Sequence, residues 1–156
     1  MGSLVSGLSG ESSPKFILGV TSDETVMLDF DNSSLGSVKY WARRALKRFD
    51  LGGFLVLESS PGSFHVVFDR PVDWGENMQV VAWVALLSGS VKLRRWFLMQ
   101  CIKRKPTLRA SNKKELGGVV KAPPRVVYFE GSKDREIRDY LMLRNLILEV
   151  SEELKF

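Results

Sequence analysis

The 156-residue chain contains one cysteine and one histidine. That scarcity excludes a disulfide framework, and it excludes a structural zinc cluster built within one chain, since such a site normally takes four Cys or His ligands. It points to a reducing compartment. No apolar run reaches the roughly 18 residues that a membrane helix needs. The opening stretch MGSLVSGLSGES has neither the basic start nor the long apolar core of a secretory signal. We therefore expect a soluble, cytoplasmic protein with no membrane partner. What is present is ordinary for a globular chain: 44% hydrophobic and 26% charged residues, which argues against disorder or low complexity. The length suits one domain with one core.

The net charge is +5, from 23 Lys and Arg against 18 Asp and Glu. Its distribution is uneven. Eleven basic residues fall between Lys92 and Arg125, against the single acid Glu115. A tract of that kind favours polyanionic partners.

Residues 1–14 are rich in Gly and Ser and end at Pro14, the composition of a flexible N-terminal arm, so the expected domain runs over 15–156. Two short apolar runs follow, FILGV (16–20) and TVMLDFD (25–31). Leu35, Val38, Ala42, Ala45 and Phe49 then recur at helical spacing after the capping cluster Asn32-Ser33-Ser34. FLVLES (54–59) and SFHVVF (63–68) flank the turn residues Pro61-Gly62 and form a hairpin. A second helix is expected over 74–88, capped by Asp73 and stopped by Gly89, with 92–99 continuing helically. TLRAS (107–111) is extended, 112–124 is a loop, RVVYFE (125–130) is a strand, and 134–154 is a long helix.

The order β-α-β-β-α-β between residues 25 and 111 gives the fold class: α+β, an RRM-like or ferredoxin-like antiparallel sheet with its helices on one face. Strand alternation sends Val26, Leu28, Phe30, Phe64, Val66 and Phe68 toward those helices. Asp29, Asp31, Ser63 and His65 then fall on the opposite face, which this arrangement leaves open. Carboxylates at i and i+2 on a strand stand about 7 Å apart, close enough to share hard divalent cations that borrow further ligands from phosphates.

In this order the residues resemble the archaeo-eukaryotic primase superfamily, of primase small subunits and plasmid or archaeal primase-polymerases. VMLDFD is similar to the family's apolar-then-Asp-x-Asp motif, and SFH to its small-x-His motif. TLRASNKK is similar to the basic segment after the third motif. The resemblance covers about residues 16–130 and implies a primase-polymerase-type core. It makes Asp29, Asp31 and His65 the catalytic set, with Asp29 and Asp31 as ligands of Mg²⁺ or Mn²⁺. Ser63, His65, Arg109 and Lys113 would bind the nucleotide. Arg94, Arg95, Lys103, Arg104, Lys105 and Lys114 would hold a single-stranded DNA or RNA template.

Where the family's third motif carries an acid, this chain reads WFLMQCIKRKP, with Gln100 in its place. A neutral amide is a poorer ligand for a hard cation. Two functions follow. One is a primase-fold protein of DNA replication or repair that binds nucleoside triphosphates and nucleic acid, with metal-dependent nucleotidyltransferase activity if a third carboxylate completes the site. The alternative is a non-catalytic accessory subunit of a primase or replisome, holding the template in a basic groove.

Overall fold

The computed structural model describes residues 3–9, 15–114, 117, 118 and 120–153. Its strands and helices are β1 (Ser3–Ser9), β2 (Lys15–Thr21), β3 (Met27–Phe30), α1 (Leu35–Phe49), β4 (Gly53–Ser60) and β5 (Ser63–Phe68). They continue with α2 (Trp74–Leu87), α3 (Val91–Lys103), β6 (Thr107–Arg109), β7 (Lys113–Lys114), β8 (Val120–Lys121), β9 (Arg125–Gly131) and α4 (Glu136–Glu153). The fold is α+β with antiparallel sheets.

The central sheet has the order β3-β5-β4-β9, and β1-β2-β6 form a second sheet. The run β3-β5-β4, with every pair antiparallel, is the order that a ferredoxin-like unit gives its first three strands. The fourth strand departs from it. Instead of pairing with β3, β6 pairs with β2, Gly19 opposite Arg109 and Thr21 opposite Thr107. The arm expected over 1–14 is also different in part: Ser3–Ser9 pair with β2 along their whole length, while 10–14 lie outside the described residues. The loop expected over 112–124 contains the short β7-β8 pair.

The helices form where their caps permit. Ser34, Asp73 and Ser90 each accept a backbone N–H from the first turn of α1, α2 and α3, satisfying a donor that the helix itself leaves orphaned. Ser90 makes α3 a separate helix rather than a continuation of α2. α1 ends at Asp50, whose left-handed φ of 51° closes the last turn before the glycines that follow.

Both faces of the central sheet are buried. Leu28, Phe30, Val56, Phe64, Val66 and Phe68 pack with Val38 and Ala42 of α1 and Val80, Val81 and Val84 of α2, the side that strand alternation assigns to the helices. The opposite face is covered too, which corrects the expectation of helices on one side only. Met27, Leu55, Leu57 and Val67 meet Ile137, Tyr140 and Ile147 of α4, together with Val20 of β2 and Leu108 of β6.

Asp69, fully buried at the end of β5, sets the position of α4. Its Oδ1 accepts the backbone N–H groups of Arg135 (3.0 Å) and Ile137 (3.2 Å), and its main-chain oxygen accepts that of Glu136 (3.1 Å). Oδ2 accepts the Ser132 hydroxyl at 2.6 Å. A carboxylate here both satisfies the orphan donors and meets the positive end of the helix dipole. The approach to it is close. A Cβ on Gly53 would lie 2.0 Å from the Ser132 carbonyl oxygen, so β4 and β9 can converge there only without a side chain.

Asp69→Ala would strand these donors and should cost about 2–3 kcal/mol, whereas Asp69→Asn, which keeps an acceptor, should cost less. Urea unfolding of the two variants measures the difference; equal losses would mean that Asp69 acts by packing alone.

Candidate phosphate-binding cleft

The expected polar pair across β3 and β5 is present. Asp29 stands opposite His65 in the strand register. His65 Nε2 lies 3.8 Å from Asp29 Oδ1, too long for a hydrogen bond. Asp31 follows the last residue of β3, before Asn32 turns the chain with a φ of 51°. Its carboxylate accepts the Ser63 hydroxyl at 2.7 Å through Oδ1 and faces Lys92 Nζ at 3.6 Å through Oδ2.

Burial separates the roles of these groups. The His65 ring is buried, and its Nδ1 has no hydrogen-bond partner. Burial, and then the nearby Arg109 guanidinium, push its pKa down to about 3, so the ring is neutral in the folded protein. Asp29 is about a third exposed. Burial and the neighbouring Asp31 raise its pKa to about 7 against the opposing pull of Arg109 and Lys92.

Asp29 and Asp31 open into a cleft of about 310 Å³ between the edge of β3, Thr107 of β6 and one face of α3. From α3 come Lys92, Arg95, Trp96, Met99, Gln100 and Lys103, which recur at helical spacing. Trp96 touches both apolar cores and fixes the helix beside the strand edge. Gln100 thus lines the same cleft as the two aspartates, and its buried Oε1 has no partner. A neighbouring pocket of about 420 Å³ shares Asp31 and Lys92 and is lined by Ser33, Ser34 and Ser90 at the starts of α1 and α3.

The other residues singled out in the sequence lie differently. Arg109 donates through Nη2 to the Ser59 carbonyl (3.0 Å) and through Nη1 to those of Ala122 (3.0 Å) and Ser111. It clamps β6 to the end of β4 and does not line the cleft. Arg94 turns away to the carbonyls of Ala85 and Leu86, both at 3.2 Å, and covers the C-terminal end of α2. Arg104 takes the left-handed C-cap of α3, with Lys105 exposed beside it. Lys113 belongs to β7, opposite Lys121, and the side chain of Lys114 lies outside the described residues. Of the basic residues expected at a template, Arg95 and Lys103 therefore line the cleft. Lys92, Met99 and Thr107 were not singled out. Lys92, Arg95 and Lys103, at i, i+3 and i+11, carried the signal, because this spacing places them on one side of a helix.

Among the described residues no group of three or more His, Cys, Asp and Glu side chains is placed to hold a metal ion. The oxygen ligands the cleft lining offers around the aspartates are two carboxylates, an amide and the Thr107 hydroxyl. Glu130, next to last in β9, is bound by Arg43 at 2.8 Å and by the Tyr128 hydroxyl at 2.7 Å. No family model, curated protein or solved structure matches the chain.

The two shifted groups should give opposing pH dependences. The unfolded chain protonates His65 near 6.5 and the folded one only near 3, so this group removes stability as pH falls from about 6.5 toward 3. Folded Asp29 keeps its proton up to about 7, while the unfolded chain releases it near 3.8, so this group removes stability as pH rises from about 4 to 7. Relative to the parent, Asp29→Asn should make stability rise more steeply with pH between 4 and 6.5. His65→Gln should make it rise less steeply, the change approaching about 1.4 kcal/mol per pH unit. Urea unfolding across that range reads both slopes, and a shift of the same sign in the two variants would refute the assignment.

Proposed function

We propose that the protein binds single-stranded nucleic acid through this cleft as a non-catalytic accessory subunit of a primase-like or replisome assembly. The observation that carries the reading is Gln100. The position where the primase resemblance calls for an acid contributes an amide to the cleft, while Lys92, Arg95 and Lys103 bring three cations to the same walls. Cations along a groove neutralise phosphates and release condensed counterions, giving affinity without base selectivity. The exposed Arg104 and Lys105 extend the positive surface past the end of α3. Trp96 and Met99 add an apolar wall against which a base can lie.

A second reading is favoured by one observation, that Asp29 and Asp31 share the cleft. In it, the two carboxylates hold Mg²⁺ or Mn²⁺, nucleoside triphosphates bind beside them near Ser63 and His65, and the protein transfers nucleotides in DNA replication or repair. The carboxylates would supply the ligands and Lys92 would meet phosphate charge. His65, buried and neutral, would hold the strand pair in place rather than touch the ligand.

Fluorescence anisotropy with a labelled single-stranded oligonucleotide tests the first reading. Binding should weaken with salt, and replacing Lys92, Arg95 and Lys103 together by Ala should reduce the log–log salt slope by about 2, at roughly 0.7 for each phosphate that is no longer neutralised. Asp29→Ala should still bind, and primer extension with Mg²⁺ or Mn²⁺ should show no incorporation. Incorporation that disappears in Asp29→Ala would establish the second reading instead, and an unchanged salt slope in the triple variant would remove the cleft from nucleic-acid binding.

A further inference from the structure

Gln100 is 4% exposed and lines the cleft, and its Oε1 has no hydrogen-bond partner among the described residues. A buried acceptor without a donor costs stability, and at the wall of a cleft a ligand can supply the missing N–H.

Two further acceptors line the same cleft, Asp29 and Thr107. The Asp29 carboxyl stands beyond hydrogen-bond reach of His65, at 3.8 Å. At Thr107 the proton is already spent. The Thr21 hydroxyl donates to the Pro106 carbonyl at 2.7 Å, so Thr107 must be the donor in the 2.7 Å contact between the two hydroxyls. Its oxygen then offers lone pairs alone. The cleft therefore combines acceptors that want a donor with the cations Lys92, Arg95 and Lys103, which want an anion.

We propose that the cleft selects, within a single strand, bases that carry an exocyclic amine, with Gln100 Oε1 accepting an N–H of that amine, and so prefers cytosine to thymine. This selectivity rests on the nucleic-acid reading proposed above and adds a base choice to it. Cytosine and thymine are similar in size and can lie alike against Trp96. At C4, however, one presents an amine and the other a carbonyl oxygen. The amine completes Gln100, whereas the carbonyl sets lone pairs against lone pairs and leaves the amide oxygen unsatisfied. The cations cannot make this choice, because both strands carry the same phosphates.

Anisotropy titrations with oligo-dC and oligo-dT of equal length, at mildly alkaline pH where cytosine carries no proton, test the choice. The parent should bind oligo-dC roughly threefold to tenfold tighter. Gln100→Leu, which removes the acceptor at similar volume, should bring the ratio close to one and leave the salt slope unchanged. Gln100→Glu retains an acceptor, so it should keep the preference while its charge weakens both complexes. Thermal melting checks the fold, with Gln100→Ala in place of Gln100→Leu should the latter melt early. Equal affinity of the parent for the two oligonucleotides, or a preference that survives loss of the acceptor, would overturn the proposal while salt-dependent binding still upheld the cleft. Absence of binding to either oligonucleotide would remove both.

Discussion

The Asp69 carboxylate, buried where β5 ends, is the contact on which the arrangement of this molecule turns. Its Oδ1 takes the amides of Arg135 and Ile137, and the main-chain oxygen of the same residue takes that of Glu136, so three consecutive amide groups at the start of α4 are held. A long helix that begins there must run back across the sheet, and its Ile137, Tyr140 and Ile147 then find Met27, Leu55, Leu57 and Val67. The start of α4 is tied down a second time by Glu136, which accepts the Thr25 hydroxyl from the turn leading into β3. One cap therefore lays α4 across the second face of the sheet, and the candidate cleft opens at the sheet's edge.

Much of the strand layer could be read from the sequence. Alternation assigned Val26, Leu28 and Phe30 to one face and Asp29 to the other, and the hairpin turn at Pro61-Gly62 fixed His65 within the same polar row. What alternation cannot supply is the identity of the layer that covers a face. The signal was still present in residues 54–57, Phe-Leu-Val-Leu, which are apolar at every position rather than at every second one. A continuous run of that kind belongs to a strand buried on both sides. α4 was visible as a helix, but its anchorage to a residue 66 positions earlier depends on a hydrogen bond that no local pattern encodes.

The same distinction explains the basic residues. The basic tract placed Arg94 at a ligand site along with Arg95 and Lys103, and the primase resemblance placed Arg109 there. A guanidinium carries five donors as well as a charge, and in Arg94 and Arg109 the donors are used on main-chain carbonyls. Whether an arginine faces solvent anions or serves as a clamp depends on which carbonyls are left over nearby after the sheets and helices have formed. Arg94 meets the unpaired end of α2, and Arg109 meets the loops around β6. Helical phase, by contrast, is local. It sorted Lys92, Arg95 and Lys103 onto the cleft side of α3 once the start of that helix at Ser90 was fixed.

The electrostatic balance of the cleft follows from this sorting. Two carboxylates sit among three cationic side chains, but they are not equivalent. Asp31 already has the Ser63 hydroxyl and the Lys92 ammonium beside it, whereas Asp29 is held by burial and by Asp31 at a pKa of about 7. Near neutral pH Asp29 is therefore divided between its charged and neutral forms, and the cleft has a net positive charge in either state. An anion approaching along α3 raises the cost of ionising Asp29 further, and the carboxyl can answer by taking up a proton instead of repelling its guest. A cation acts in the opposite direction, since it must first displace that proton and contend with Lys92. With Gln100 adding no charge and His65 buried and neutral behind Asp29, the walls keep a net positive charge, which is electrostatically better suited to an anion than to a pair of divalent cations.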